Sequence, residues 1–243
     1  MKKIFGISLF LIAISSVFFA LQAQTFRVEA GYSQPRIYSN EISNRYFHGF
    51  NLGVTAEFAI PQVEFLSLYT GISYVYMFGN NSQHSRFGSG FNDSIRISTQ
   101  AHQLRIPIHL QASQSVWAFR GTVFAGPSIN IGLTMPQEVS TNINPEFWNL
   151  ASLNGFYRLG ETTDLHADRM RRINLQFDAG LSLEWWRLLL RGGYSFGINN
   201  LNKWQPAPEL IELPNGTTID INSRMSNMRL RQSGWFVSLG YRF

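Results

Sequence analysis

The residues best suited to acid–base or metal chemistry are the five histidines, His48, His84, His102, His109 and His166. Base-assisted nucleophilic attack requires a His close to a Ser or to a carboxylate that orients it. His166 has Asp164 and Asp168 two positions to either side, but this spacing in a polar stretch is a weak signal for catalysis or metal binding. The chain has no Cys, which excludes a thiol nucleophile and a Cys-based zinc site. We therefore predict a non-enzymatic protein without cofactor or metal, with a lipid-active enzyme as the alternative.

A second set of candidate residues is charged and falls on the polar side of alternating sequence: Glu57, Arg105, Arg120, Asp178 and Arg191. If these side chains share the interior of one barrel they must pair, because an unpaired buried charge is strongly destabilising. We predict that Glu57 and Asp178 each lie within salt-bridge distance of an inward Arg, with Arg120 and Arg191 as the expected partners. We favour a filled polar core, and a narrow gated pore is the alternative.

The elements that would position these residues are β-strands, because a period of two is the dominant pattern of the chain. In the last segment, apolar residues occupy every second position from Trp235 to Phe243, and most residues between them are small or polar. Successive side chains of a strand point to opposite faces. The same alternation recurs upstream and predicts eight strands, near 26–33, 50–58, 66–78, 104–111, 117–131, 172–183, 187–197 and 229–243.

The connections between the predicted strands alternate in length. Short turns are predicted near 61–64, 112–115 and 184–186, and long polar connections near 36–47, 79–100, 133–171 and 199–228. Short turns at one end and long loops at the other are typical of outer-membrane barrels. The sequence therefore predicts an all-β, eight-stranded antiparallel up-and-down transmembrane β-barrel with short periplasmic turns and long extracellular loops, closed by pairing of the first and last strands. A soluble β-sandwich is the competing fold.

Composition agrees with an exported barrel. Charged residues make up 14 % of the chain and hydrophobic residues 44 %, and the mean hydropathy of −0.08 is too low for a bundle of transmembrane helices. Two lysines followed by an uncharged apolar stretch predict a signal peptide over 1–23, cleaved after Ala23 or Ala20, and an outer-membrane barrel domain over 24–243. A retained membrane anchor is the alternative. Because these lysines contribute to the net charge of +5, nucleic acid is not an expected partner.

The predicted outward face carries two features that indicate contact with lipid and with the assembly machinery. Tyr241 and Phe243 end the last strand in the pattern of a signal for the barrel-assembly machinery. Arg36, Arg229 and Arg231 would meet at the outer end of the seam between the first and last strands. Guanidinium groups bind phosphate in a bidentate, charge-assisted way, so we predict that these three contact lipopolysaccharide. The alternative is that they extend to water at the membrane surface.

Several short motifs carry a resemblance to a known family: Leu104-Arg105-Ile106-Pro107, Gly126-Pro127, Asp178-Ala179-Gly180-Leu181, Tyr194 and Tyr241-Arg242-Phe243. With these motifs, the whole mature chain resembles the PorT-like outer-membrane β-barrel family of Bacteroidota, barrels of the OmpX/OmpA-like type. The family more often has Glu where this chain has Arg105. The resemblance implies an outer-membrane protein with a structural or protein-interaction role. Because some members are implicated in type IX protein secretion, it also implies envelope or secretion proteins as partners; a narrow channel is the alternative function.

Overall fold

The computed structural model describes residues 23–39, 45–85, 93–141, 162–203, 210–212, 218–220 and 228–243. The strands within these ranges are β1 (Ala23–Ser39), β2 (Arg45–Tyr46), β3 (His48–Ala59), β4 (Leu66–Ser85), β5 (Asp93–Val116), β6 (Phe119–Thr134), β7 (Pro136–Thr141), β8 (Thr162–Asp164), β9 (Ile173–Trp185), β10 (Leu188–Gly197), β11 (Leu210–Glu212), β12 (Thr218–Asp220) and β13 (Leu230–Arg242). A one-turn helix, α1 (Leu165–Asp168), follows β8. The described residues contain no helix that is both long and apolar enough to cross a membrane. Residues 1–22 of the predicted signal peptide lie outside the described residues.

Eight of the strands form a closed antiparallel ring in the order β4, β3, β1, β13, β10, β9, β6 and β5, and β5 pairs in turn with β4. The first and last strands pair in unbroken register from Arg27 opposite Arg242 to Ser39 opposite Leu230. The predicted eight-stranded antiparallel up-and-down barrel is therefore confirmed, including its closure. Closure satisfies the backbone groups that an open sheet would leave unpaired at its edges.

Side chains alternate between the inside and the outside of the ring with the predicted period of two. Outward positions are apolar and exposed, with 58 % of Val123 and 67 % of Leu239 accessible. Their neighbours Phe124 and Ser238 point inward and are buried, as is the charged residue Asp178. This distribution is the reverse of that in soluble proteins, where charged residues are almost never fully buried unless paired and large apolar patches are rarely exposed.

At one end of the barrel, which we call the short-turn end, neighbouring strands are joined by very few residues. Trp117 and Ala118 alone join β5 to β6, and Trp186 and Arg187 alone join β9 to β10. The predicted position of the first of these turns, at 112–115, is wrong. The polar residues there continue β5, because their backbone groups still pair with β6 and pairing does not require apolar side chains.

At the other end, which we call the long-connection end, the strands extend further than the sequence predicts. β4 runs to Ser85 and β5 begins at Asp93, so most of 79–100 is a paired hairpin rather than a connection. β7 pairs with β5 and β8 pairs with β7, which continues this sheet beyond the ring. The extension of β5 was not predicted because its outward face is polar rather than apolar: Arg96 and Gln100 are exposed, while Ile97 and Thr99 between them are buried.

Apolar side chains fill the interior at the long-connection end. The members of this apolar plug are Ile37, Phe47, Val75, Met77, Ala101, Met135, Leu165, Met170 and Leu201. Asp164 fixes α1 against the plug as its N-cap, accepting hydrogen bonds from the backbone N–H groups of Met135 at 2.9 Å and His166 at 3.0 Å. Polar and charged side chains fill the rest of the interior, towards the short-turn end.

Candidate functional site

Five charged side chains form a continuous chain of ion pairs across the interior near the short-turn end. Glu57 of β3 lies 2.5 Å from Arg27 of β1 and also pairs with Arg120 of β6. Arg27 donates to Glu184 of β9 at 3.0 Å, and Glu184 pairs with Arg242 of β13 at 2.5 Å. Positive and negative groups therefore alternate from one end of this lower network to the other. Such pairing is what allows charges to be buried.

A second cluster lies in the middle of the interior around Asp178 of β9, which has no exposed surface. Its Oδ2 atom accepts a hydrogen bond from Arg105 Nη2 at 2.6 Å and lies 2.9 Å from His109 Nε2, both on β5. Asp178 reaches across β6 because the residue opposite it there is Gly126, which has no side chain. A Cβ atom at Gly126 would lie 2.3 Å from the carbonyl oxygen of Ile108, so a larger residue requires the backbone to move.

The hydrogen bonds of His109 define which ring nitrogen carries the hydrogen. Arg191 Nη2 lies 2.7 Å from His109 Nδ1, and a guanidinium can only donate. Nδ1 is therefore the acceptor, and Nε2 carries the hydrogen and donates to Asp178 at 2.9 Å. The Arg191 guanidinium carbon also lies 3.6 Å from the centroid of the Phe124 ring and 4.0 Å from that of Tyr69, in cation–π contact with both. His109 thus bridges a cation and a carboxylate, and both of its ring nitrogens have partners.

A fourth carboxylate, Glu29 of β1, is held by hydroxyl groups instead of cations. Thr55 and Tyr69 donate to Oε1 at 2.9 and 2.8 Å, and Ser238 donates to Oε2 at 3.3 Å. The Tyr69 ring is stacked on His109 with 5.6 Å between the ring centroids. Glu29 is therefore connected through Tyr69 to the cluster around Asp178.

The spaces between these side chains are small. A cavity of about 40 Å³ is lined by Glu29, Tyr69 and His109, and a second of about 30 Å³ is lined by Gln103 and other polar residues nearer the long-connection end. Each has room for a few waters at most. Arg105 and Phe236 line both cavities and contact each other, with the guanidinium carbon 5.0 Å from the ring centroid. This pair separates the two spaces.

The five charged residues chosen from the sequence all line the interior, but not in all the predicted pairs. Glu57 contacts Arg120 as expected. Asp178 lies within salt-bridge distance of an inward Arg, as predicted, but this residue is Arg105 and not the expected Arg120 or Arg191. In the register of β9 and β10, Ser195 lies opposite Asp178, which puts Arg191 at a different level of the barrel.

The structure also adds Arg27 and Glu184 to the site, and it places the candidate histidine His109 there. His109 connects Asp178 to Arg191, and Arg27 and Glu184 extend the ion pair of Glu57 to Arg242. Their signal in the sequence is their position on the inward face of alternating strands. That signal defines the face but not the level at which residues of distant strands meet.

The three arginines predicted to contact lipopolysaccharide lie at the long-connection end of the seam between β1 and β13. Arg36 lies inside β1 rather than past its end as predicted, because the ladder with β13 continues beyond it. Its guanidinium carbon is 5.8 Å from the ring centroid of Tyr38 and 5.6 Å from that of Tyr46. Arg231 pairs opposite Tyr38, and Arg229 directly precedes β13. Contact with lipopolysaccharide stays a prediction.

The two aromatic residues of the predicted assembly signal lie outside the barrel at the short-turn end. Tyr241 and Phe243 are exposed, with 5.4 Å between their ring centroids. The backbone N–H of Phe243 donates to the carbonyl oxygen of Phe26 at 3.1 Å, so the last residue is joined to the first strand. Their part in assembly stays a prediction.

The ring of strands defines the class of protein, an all-β antiparallel barrel, and a comparison with solved structures finds chains that are similar to this one. The chain is similar to Neisserial surface protein A, with 11 % sequence identity, a TM-score of 0.40 and coverage of 90 % of this chain and 97 % of that chain. It is similar to Ail, the attachment invasion locus protein of Yersinia pestis, with 12 % identity, a TM-score of 0.37 and coverage of 91 % and 100 %.

A third similar structure is the translocator domain of the autotransporter NalP from Neisseria meningitidis, with 12 % identity, a TM-score of 0.39 and coverage of 98 % of this chain and 96 % of that chain. No family model matches the chain, and no curated protein matches it significantly by sequence. These likenesses concern the fold alone.

Proposed function

We propose that the protein is an integral barrel of the bacterial outer membrane with a structural or protein-interaction role and no enzymatic activity. The observation that carries the proposal is the inverted distribution of side chains. Aliphatic residues such as Leu181 and Leu239 cover the outside, while Asp178, Glu57 and Arg27 are buried inside. An apolar solvent stabilises such a surface, and a closed ring satisfies the backbone groups, as a structure that crosses a membrane requires.

The height of the apolar surface supports a bilayer as this solvent. On β13, the outward positions run from Trp235 through Val237 and Leu239 to Tyr241 and Phe243, and all five are exposed. At about 3.3 Å per residue and a tilt of about 40°, this stretch is about 20 Å high, close to the apolar band of about 25 Å in outer-membrane barrels. Aromatic rings lie at both of its ends, where rings that are apolar on one side and polar on the other favour the interface.

The filled interior supports a scaffold rather than a channel or an enzyme. The paired charges and the apolar plug occupy the space that a pore would use, and the two cavities between the polar side chains are small. The buried His109–Asp178 pair also differs from a catalytic pair. His109 Nδ1 accepts from Arg191 and Nε2 donates to Asp178, so neither nitrogen can take a proton from a nucleophile without losing a partner.

A finer assignment to the PorT-like type, with a link to type IX secretion, is supported by the shared motifs, of which Gly126-Pro127 and Asp178-Ala179-Gly180-Leu181 lie side by side on paired strands. Arg105, Gly126 and Asp178 come from different motifs, and Gly126 provides the space through which Asp178 contacts Arg105. The contact of Arg105 is a feature of this chain, because the family more often has Glu at that position. The link to secretion rests on the resemblance alone, and co-purification of a stable envelope or secretion protein in mild detergent would test it.

We also propose that the seam between β1 and β13 binds lipopolysaccharide phosphate. Arg36 and Arg231 lie on adjacent paired strands at the long-connection end, which faces outward in outer-membrane barrels. Native mass spectrometry should detect less retained lipopolysaccharide in the variant Arg36→Ala/Arg229→Ala/Arg231→Ala than in the wild type. Arg171→Ala removes an exposed cation at the same end and is the control. If the triple variant retains as much lipopolysaccharide as the wild type, the three side chains do not bind it and instead extend to water at the membrane surface.

The membrane location is tested by a charge on the outside of the barrel. Leu239 lies midway along the outward face of β13, so Leu239→Lys should destabilise the barrel folded in phospholipid vesicles by about 2–4 kcal/mol. Val116→Lys changes a residue of similar exposure at the short-turn end, where the cost should be about 0–1 kcal/mol. The measurement is the heat-modifiable folded fraction after refolding into vesicles. Equal folding of both variants would contradict the proposal, because in water both changes are harmless.

A further inference from the structure

We propose that the short-turn end carries a binding site for the phosphate group of a membrane phospholipid, built around Arg187. The inference rests on the proposed membrane location, since short turns face the periplasm in outer-membrane barrels and the leaflet on that side consists of phospholipid. Trp185, Trp186, Leu188 and Tyr241 form the rest of the site.

The site is a groove on the outside of the barrel with a volume of about 540 Å³. Its floor is a row of outward side chains on three adjacent strands, in which Leu188 lies opposite both Trp185 and Tyr241. Trp186 in the turn stacks on Trp185, with 5.6 Å between the ring centroids. The floor is apolar and continues into the outward face of β9 and β10, so an acyl chain can follow the barrel surface away from the groove.

The charge of the groove comes from Arg187. Its guanidinium is exposed, and Nη1 donates to the hydroxyl of Tyr241 at 3.3 Å. No carboxylate of the described residues lies within ion-pair distance of Arg187, whereas the second arginine of the groove, Arg242, is 2.5 Å from Glu184 in the interior. Arg187 is therefore the cation left for an anion from the membrane, and a guanidinium matches phosphate in shape and charge.

Arg242 has a positioning role in this arrangement. Its Nη2 atom donates to the carbonyl oxygen of Trp186 at 2.9 Å, and its backbone N–H donates to the carbonyl oxygen of Arg187 at 2.8 Å. Because its other guanidinium nitrogen is bound to Glu184, Arg242 connects the turn to the lower network. The turn that presents Trp186 and Arg187 is thus held by the interior of the barrel.

The backbone of the turn has an unfavourable conformation at its Trp residue. Trp186 has a φ of 56°, and of the two turn residues it alone has a positive φ, the pattern of a type II′ hairpin, where Gly is usual. Trp117 occupies the same position in the neighbouring turn, with a φ of 57°. A left-handed backbone is unfavourable for any residue with a Cβ, and both rings are largely exposed. Contact of the rings with lipid at the bilayer interface accounts for Trp at both positions.

The apolar floor selects a lipid over a free anion. Inorganic phosphate would use Arg187 but leave the indole rings and Leu188 in contact with water. A phospholipid covers both parts of the groove at once, because its phosphate and its acyl chains are joined in the same molecule. The phosphate alone should therefore bind much more weakly than the whole lipid.

The experiment is a titration of the full barrel in detergent with phosphatidylglycerol, followed by native mass spectrometry, with diacylglycerol as the ligand that lacks the phosphate. The wild type should bind phosphatidylglycerol about tenfold more tightly than Arg187→Gln does, the change expected for loss of one charge-assisted contact. Diacylglycerol should bind both proteins equally and weakly. Arg171→Gln, at the other end of the barrel, is the control and should behave as the wild type.

A second variant separates lipid binding from folding. Trp186→Gly relieves the left-handed backbone, so the barrel should unfold at the same or a higher urea concentration in detergent while it binds less phosphatidylglycerol. Equal binding by the wild type, Arg187→Gln and Trp186→Gly would overturn the proposal. So would displacement of the lipid by inorganic phosphate at equal concentration, or a co-purifying protein that occupies the groove in place of lipid. Failure of the wild type to fold into vesicles would instead contradict the proposed membrane location.

Discussion

Replacement of Asp178 by Asn tests whether the interior is a dry core of paired charges. The change keeps the size of the side chain and removes its charge, which leaves Arg105 without its anion and His109 without a charged acceptor. Removal of one partner from a buried pair costs about 3–5 kcal/mol. Arg105 keeps its contact with Ser195 at 3.0 Å, and 17 % of its side chain is accessible. We therefore expect the lower end of this range, about 3 kcal/mol.

The assay is urea-induced unfolding of the barrel from lipid vesicles, followed by tryptophan fluorescence. Asp164→Asn is the matched control, because it also neutralises an Asp, but one that acts as the N-cap of α1. Asn is as good an N-cap as Asp, so the control should change the free energy of unfolding by less than about 0.5 kcal/mol. The double variant Asp178→Asn/Arg105→Gln should lose less than the sum of the two single variants, since the second change removes the unpaired cation.

Two results would refute this reasoning. Equal effects of Asp178→Asn and Asp164→Asn would mean that water in the interior screens the charge of Asp178. Strict additivity in the double variant would mean that Asp178 and Arg105 do not interact in the folded barrel. Either result would also weaken the case for a closed interior, because a wet interior is what a narrow pore would have.

Three further predictions concern other parts of the barrel. Replacing both Tyr241 and Phe243 by Asp should block outer-membrane insertion, because charge on the lipid face is penalised; normal amounts of heat-modifiable barrel in the membrane fraction would contradict this. Burial lowers the pKa of His166 from its usual 6.5, so the contribution of neutral His166 to the free energy of unfolding should be fully present above pH 6.5. Below pH 6.5 the free energy of unfolding should fall, by at most about 1.4 kcal/mol per pH unit. In urea unfolding, the variant His166→Leu should lose less stability as the pH falls. An unchanged pH profile would mean that another group causes the loss. Gly126→Ala should lower the free energy of unfolding by about 1–3 kcal/mol, because its Cβ meets backbone; an unaffected urea midpoint would mean that β6 adapts.

The ring could be predicted from the sequence because one physical requirement acts on every strand. Each strand needs an apolar outside and a polar inside, and this appears as alternation from Trp235 to Phe243 and in the seven strands before it. The prediction failed where this requirement ends. Along 112–116 and 79–100 the backbone continues to pair beyond the stretches with an apolar outward face, so the strand ends differ from those predicted.

The contacts within the site could be predicted only in part, for a related reason. Alternation assigns Asp178 to the inward face, but the partner of Asp178 depends on the register of β9 with its neighbours. The register puts Ser195 beside it on β10 and Gly126 beside it on β6. The missing side chain of Gly126 then directs the carboxylate to Arg105 and His109. Neither register nor this gap is encoded in any local pattern.

The filled interior limits where the barrel can meet other molecules. The lower network connects β6, β3, β1, β9 and β13 across the short-turn end, the cluster around Asp178 occupies the middle, and the apolar plug occupies the long-connection end. A ligand inside the barrel would have to break ion pairs or displace the plug. The outside offers contacts without this cost: Arg36 and Arg231 at one rim, and Arg187 with its indole rings at the other. Because the interior holds the turn of Arg187 in place through Arg242, the same charges that close the barrel also position its outer surface.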